Sequence, residues 1–220
     1  MVDKDEVLLM EPSVELITPA LEISNFPHYV ELAARECYQS QDKAHGASAK
    51  FVRMLIKRGH TSALEHCKFV YRIICSRAAS HQLVRHRHSS YSQQSQRFVV
   101  AGVPEVIYPP HFGEANKELY KRNIAKIYSI YNDYLEAGEN PEDARFFLPN
   151  ACVTRVVTSS NMRQIRQVMS LRLESHAQWE IRAVHQQLFD MLYDFAPCFV
   201  DDLKHLRDTG SWGESRPAGL

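Results

Sequence analysis

Residues Arg85 to Arg97 read R-H-R-H-S-S-Y-S-Q-Q-S-Q-R, a run of basic, hydroxyl and amide side chains with no apolar period. The run lies inside a window, His66 to Pro104, that contains no Asp or Glu while holding Lys68, Arg72, Arg77, Arg85, Arg87 and Arg97. A second acid-free window, Ala144 to Leu173, carries Arg145, Arg155, Arg163, Arg166 and Arg172. Together the windows hold eleven basic side chains, whereas the other 151 residues hold 15 basic and 26 acidic ones. A chain of zero formal net charge has therefore sorted its charge along the sequence, which points to a discrete anion site and away from a generally basic surface. Zero net charge also argues against a nucleic-acid-binding module that tracks phosphates.

An arginine binds phosphate through paired donors, and Ser and Gln supply the neutral contacts that fix register. Arg85 and Arg87 are two residues apart and do not face each other on a helix, so they are expected to serve different anionic groups. The chain has eight glycines and neither G-x-G-x-x-G nor G-x-x-x-x-G-K-[ST], which disfavours a Rossmann dinucleotide site and a P-loop. Ser90 and Ser95 lack the glycines of a nucleophile elbow. The five cysteines, Cys37, Cys67, Cys75, Cys152 and Cys198, are odd in number and never spaced C-x-x-C, so buried reduced thiols are expected. The eleven histidines show no H-E-x-x-H spacing and several have arginine neighbours, so no metal site is expected. An enzyme built this way would leave the difficult chemistry to a cofactor.

At 220 residues, 45% of them hydrophobic, the chain is read as one folded α+β domain, 1–220, with flexible ends at 1–12 and 210–220. No apolar run reaches the roughly 18 residues that span a bilayer, and the start M-V-D-K-D-E is unlike a signal peptide, so a cytoplasmic protein is expected. Ser13 to Ile17 reads as a strand, and Pro27 to Tyr38 as a helix with Pro at its first position. Ser48 to Arg58 reads as a helix stopped by Gly59, Phe69 to Cys75 as the best strand, and Arg77 to Arg85 as helical again. The Ser- and Gln-rich segment after it is expected to be a ligand-facing loop. Asn116 to Ala137 reads as a helix burying Leu119, Tyr120, Ile124, Ile127, Tyr131 and Tyr134, with Gly138 as its stop. Val153 to Thr158 is a strand candidate. Met162 to Arg172 reads as a helix capped by Ser160 or Asn161, and Ala177 to Phe195 as the last long helix. Without βαβ alternation this is an α+β pattern, not a doubly wound sheet.

The run at Arg85–Arg97 resembles the signature of the flavin-dependent thymidylate synthases, R-H-R followed seven or eight residues later by S. R-G-H-T-S-A-L-E-H at Arg58 to His66, A-R-F-F-L-P at Ala144 to Pro149 and L-R-L-E-S-H-A-Q-W-E-I at Leu171 to Ile181 extend the resemblance in order, over roughly Ser13 to Phe199. The resemblance implies a small, mostly antiparallel sheet flanked by long helices, and a homotetramer with active sites at subunit interfaces. It implies reductive methylation of dUMP to dTMP, with methylenetetrahydrofolate as carbon donor, FAD as mediator and NADPH as reductant. It assigns flavin contacts to Ser62, Arg85, His86, Arg87, Gln93, Asn161, Met162, Arg163 and Gln167. It assigns nucleotide contacts to Gln82, Leu83, Val84, Arg85, Gln93, Gln94, Ser95, Gln96, Arg97 and Arg145. Arg172 matches the family's essential arginine beside the uracil ring, where a fixed guanidinium would favour the ionised imide. Gln93 stands where many members have Glu, and Gln167 where many have Asn or His; both can still hydrogen-bond. A protein that only binds flavin is the remaining alternative.

Overall fold

The computed structural model describes residues 6–44 and 46–213. Its elements run β1 (Leu8–Met10), β2 (Ser13–Leu16), α1 (Ala20–Glu36), α2 (Ser48–Lys57), β3 (Lys68–Ser76), α3 (Arg77–Leu83), β4 (Ser90–Gln93) and β5 (Glu105–Ile107). They continue with α4 (Lys117–Glu136), α5 (Pro141–Ala144), β6 (Val153–Asn161), α6 (Met162–Arg172), α7 (Trp179–Phe195) and α8 (Lys204–Thr209). The class is α+β: β2, β3, β6 and β4 form, in that order, a small antiparallel sheet, and β1 pairs with β5 in parallel. By packing the chain divides into two compact units. One comprises residues 1–13, 74–83 and 92–156, and the other residues 14–73, 84–91 and 157–220. Neither is continuous in sequence, and β3, β4 and β6 each contribute residues to both.

Several sequence readings need correction. The helix expected to begin at Pro27 begins at Ala20, and Pro27 lies inside it. An interior proline loses a hydrogen bond and crowds the preceding turn at about 3 kcal/mol. Here Ile23, Phe26 and Val30 are each buried to 2% exposure or less, and at roughly 1.5–3 kcal/mol per side chain that burial outweighs the defect. The start expected to be flexible is tied in from Leu8, because β1 pairs Leu8–Met10 with Glu105–Ile107 and Val7 joins a buried cluster with Val106, Ile124, Tyr128 and Cys152. Residues 210–213 are likewise bonded to their surroundings, whereas 1–5 and 214–220 lie outside the described residues. The polar segment expected to be a loop contains β4 at the edge of the sheet, where pairing satisfies its backbone without apolar side chains. On α4, Tyr128 and Tyr131 are core residues, but Leu119 and Tyr134 are 46% and 44% exposed. Tyr134 stacks on Phe147 at 4.7 Å instead. All five cysteines are free thiols, with Cys37 exposed and the other four buried.

Among the described residues no helix is long and apolar enough to cross a membrane.

Candidate functional site

In the second unit the signature begins where α3 has ended, so residues 84–89 are a turn whose side chains diverge. Arg85 and Arg87 point to solvent, and neither has a carboxylate partner among the described residues. His86 turns the other way. Its Nε2 lies 3.1 Å from Nε of Arg172 on the last turn of α6. An arginine Nε–H can only donate, so His86 must accept, and the imidazole is neutral with its proton on Nδ1. Burial first, and the neighbouring Arg172 charge second, push the His86 pKa down to about 4. Two bonds fix the turn around it: the Tyr91 hydroxyl donates to the His86 carbonyl at 2.9 Å, and the Ser89 and Ser160 hydroxyls meet at 2.7 Å. His185 on α7 is 1% exposed and donates from Nδ1 to the Ile181 carbonyl at 2.7 Å. Burial first, then the Arg172 charge and His86 once protonated, push the His185 pKa down to about 4, against the raising effect of that bond. Its distance in sequence gave no signal for this place.

The same unit has a cleft of about 510 Å³, within the ordinary range for ligand sites. Its walls include Lys43, Phe51, Arg58, His60, Ser62 and His66, and among the described residues no carboxylate lines it. Arg35 forms one side, clamped by buried Glu31 at 2.6 Å and lying over the Phe51 ring at 4.6 Å, with Ser48 also donating to Glu31 at 2.6 Å. Nearby on α6, Asn161 is the cap, accepting from the Gln164 N–H at 2.8 Å. Ser160, the other cap candidate, does not take that role. Met162 has no exposed surface and its N–H goes to the Cys67 carbonyl at 3.0 Å, so its side chain packs in the core. Arg163 is paired with Glu65 at 2.5 Å on the surface, and Gln167 is half-buried.

In the first unit, Gln93 at the end of β4 donates from Nε2 to the buried Ser80 and Thr154 hydroxyls at 2.9 and 3.2 Å. Gln94 bonds the Arg155 carbonyl through its N–H at 2.9 Å and keeps a buried Oε1 without a partner. The Ser95 hydroxyl accepts from the Arg97 N–H at 3.2 Å. Gln96 reaches toward the Cys152 sulfur at 3.8 Å. Arg97 pairs with the Glu142 carboxylate at 2.7 Å, and Arg145 donates to the Glu142 carbonyl at 3.0 Å. Two arginines from different acid-free windows thus meet at one residue of α5. Glu142 was missed in the sequence, although N-P-E-D carries the Pro and acidic residues of a helix start. Gln82 and Val84 are half-buried, while Leu83 is 3% exposed and can present only backbone.

The acid-free windows are only partly unpaired in space. Arg72, Arg97, Arg155, Arg163 and Arg166 find carboxylates on Glu15, Glu142, Glu105, Glu65 and Asp202, all outside the windows. Lys68, Arg77, Arg85, Arg87 and Arg145 have no carboxylate partner among the described residues.

Comparison with known proteins gives the family of the chain. Residues 22–198 match the family model described as thymidylate synthase complementing protein. The chain is 36% identical over 184 residues to a flavin-dependent thymidylate synthase of Pyrococcus abyssi, covering 80% of this chain and 73% of that protein. It is 38% identical over 186 residues to the enzyme of that name from Geobacter sulfurreducens, covering 79% and 80%. A match to the Pyrococcus furiosus enzyme, 40% identical over 148 residues, covers 64% of this chain and 61% of that protein. Among solved structures, PolB from Streptomyces cacaoi, a UMP/dUMP methylase bound with 5-Br dUMP, superimposes with a TM-score of 0.80. At 20% identity, covering 94% of this chain and all of that one, it speaks to the fold alone.

Proposed function

The chain belongs to the thymidylate synthase complementing family, and we propose that it is a flavin-dependent thymidylate synthase converting dUMP to dTMP. The observation that carries this reading is the bond from Arg172 to His86 inside the signature. A guanidinium held at Nε by a neutral acceptor keeps a fixed orientation. Placed at the uracil edge, it would stabilise the ionised imide and raise electron density at the ring carbon that accepts the one-carbon unit. When bound, FAD would take a hydride from NADPH and mediate transfer of the carbon from methylenetetrahydrofolate. Burial pushes the Cys67 thiol up to about 12 and the Cys198 thiol up to about 11, which leaves these two poor nucleophiles.

The cleft at Ser62 fits part of such a cofactor, since cationic walls suit a pyrophosphate and Phe51 offers an aromatic face. Ser62, Arg85, His86, Arg87, Asn161, Arg163 and Gln167 would contact the flavin; the Arg163–Glu65 pair is about half exposed, so exchanging Glu65 for an anionic ligand costs little. Gln82, Leu83, Val84, Arg85 and Gln93 to Arg97 would bind the nucleotide together with Arg145, whose guanidinium shares Glu142 with Arg97. Large apolar side chains exposed in the first unit, among them Ile130, Phe146 at 81% and Phe147, support assembly into a homotetramer with shared sites. A cytoplasmic location without membrane or nucleic-acid partners completes the proposal. The test is direct. Purified protein should be yellow, bleach with NADPH, and form dTMP when dUMP and methylenetetrahydrofolate are added. Bleaching without dTMP would leave only a flavin-binding protein.

A further inference from the structure

We propose that the strap Gly210–Gly213, through Gly210 and Trp212, is a positioning element for Arg172, holding the turn that immediately follows it. The proposal rests on Arg172 acting at the substrate, but the strap's mechanical role can be measured separately. Arg172 ends α6, and Leu173 behind it is fully buried. The chain then turns through residues 174–178 before α7. Within the turn the Ala177 N–H donates to the Glu174 carbonyl at 3.0 Å, and the Gln178 side chain caps α7 by accepting from the Glu180 and Ile181 N–H groups. The strap supplies two bonds: the Ser175 N–H donates to the Gly210 carbonyl at 2.8 Å, and the Trp212 indole N–H donates to Glu174 Oε1 at 2.9 Å. The other Glu174 oxygen lies 2.7 Å from His176 Nε2.

Gly210 is required twice over. It ends α8 in the left-handed conformation, φ 73°, and a Cβ there would sit 2.8 Å from Arg182 Nη2 and 3.0 Å from the Ser175 nitrogen. An added methyl group would push the Arg182 tip aside, press on the Ser175 backbone by a few tenths of an ångström, and strain a left-handed φ that other residues rarely adopt. The base of the strap is anchored on the same helix that it braces. Asp202, just before α8, holds Arg166 in the middle of α6 through two bonds of 2.7 Å, and Leu203 and Leu206 are buried. The segment from Asp202 to Trp212 therefore grips α6 at Arg166 and again just past Arg172, so that the guanidinium has its backbone fixed from one side and its Nε fixed by His86 from the other.

The experiment compares wild type with Trp212→Phe, which keeps a ring and loses the donor, with Gly210→Ala, and with Glu174→Gln, whose amide oxygen can still accept from the indole. His86 is followed by NMR titration in the apoprotein, alongside kcat, nucleotide KM and flavin occupancy. Displacing Arg172 should raise the His86 midpoint by about half a unit or more in Trp212→Phe and Gly210→Ala, while Glu174→Gln stays near wild type. Turnover should fall about tenfold in the same two variants, with nucleotide KM and flavin occupancy within about twofold. Wild-type titration and kcat in Trp212→Phe would overturn the proposal, whether or not Gly210→Ala folds. A wild-type protein that makes no dTMP would sink the function reading instead, and the titration would still decide the strap.

Discussion

The middle of α6 and its C-terminal end each carry an arginine taken out of bulk solvent, and the two are held in opposite ways. Arg166 is 1% exposed, meets both oxygens of Asp202 at 2.7 Å and donates to the Phe199 carbonyl. Arg172, less deeply buried, donates from Nε to a neutral imidazole. Both come from the same acid-free stretch and both looked like anion contacts by composition. The difference is the chemistry of the acceptor. A carboxylate fixes the side chain and cancels its charge, which makes a structural brace. The imidazole bond fixes the side chain without itself cancelling the positive charge, as the proposed role beside an anionic transition state would require.

Asp202→Asn should break the brace with the largest effect on stability. It leaves a buried guanidinium without its counter-charge, and removing one member of such a pair costs about 3–5 kcal/mol. Urea unfolding should show that loss in midpoint. A loss below about 1 kcal/mol would mean Arg166 is satisfied by the Phe199 carbonyl alone. Arg172→Lys should do the reverse, keeping flavin bound and the unfolding midpoint nearly unchanged while turnover drops about 100-fold or more, because a compact ammonium cannot copy a planar fork of donors. Near-normal turnover in the Lys variant would end the catalytic role assigned to Arg172.

The neutral acceptor behind Arg172 also sets a pH dependence. His86 and His185 have folded pKa values of about 4 against 6.5 for an unperturbed histidine. Below 6.5 the unfolded chain takes up protons at both positions while the folded chain resists until about 4. Stability contributed by the neutral forms is therefore whole above 6.5 and is lost as pH falls from 6.5 toward 4. The fully buried His185 should account for up to about 3 kcal/mol of this. Melting temperatures between pH 7 and 4.5 should fall more steeply in wild type than in His185→Asn; equal slopes would show that His185 is not kept neutral.

How much of this was legible in the sequence follows from how local each signal is. The helices α2 and α4 lay within a residue of their expected bounds, because apolar spacing and stopping glycines at positive φ, Gly59 and Gly138, are all contained in the segment. The three-residue strands β1 and β5 carry no such pattern, since their pairing joins Leu8 to Glu105. The start of α1 was hidden by reading Pro27 as a boundary when burial decides the matter. At the candidate site, composition could not separate Arg166 from Arg172. That distinction rests on Asp202 and His86, 36 and 86 residues away.

The smallest expected effect concerns Ser95 in the first unit, where the proposed nucleotide contacts are neutral side chains and two arginines that share Glu142. Its hydroxyl accepts from the Arg97 N–H, so its removal loosens the segment that also carries the Arg97–Glu142 pair. A single hydrogen bond of this kind contributes about 1 kcal/mol, equivalent to roughly a fivefold change in binding. Ser95→Ala should therefore raise the KM for dUMP about fivefold and leave kcat within about twofold at saturating substrate, as expected when a positioning contact is lost. Abolished turnover with dUMP still bound would show that the Ser95 hydroxyl takes part in the chemistry, and the contrast between a charged catalytic end of α6 and a neutral binding strand would no longer hold.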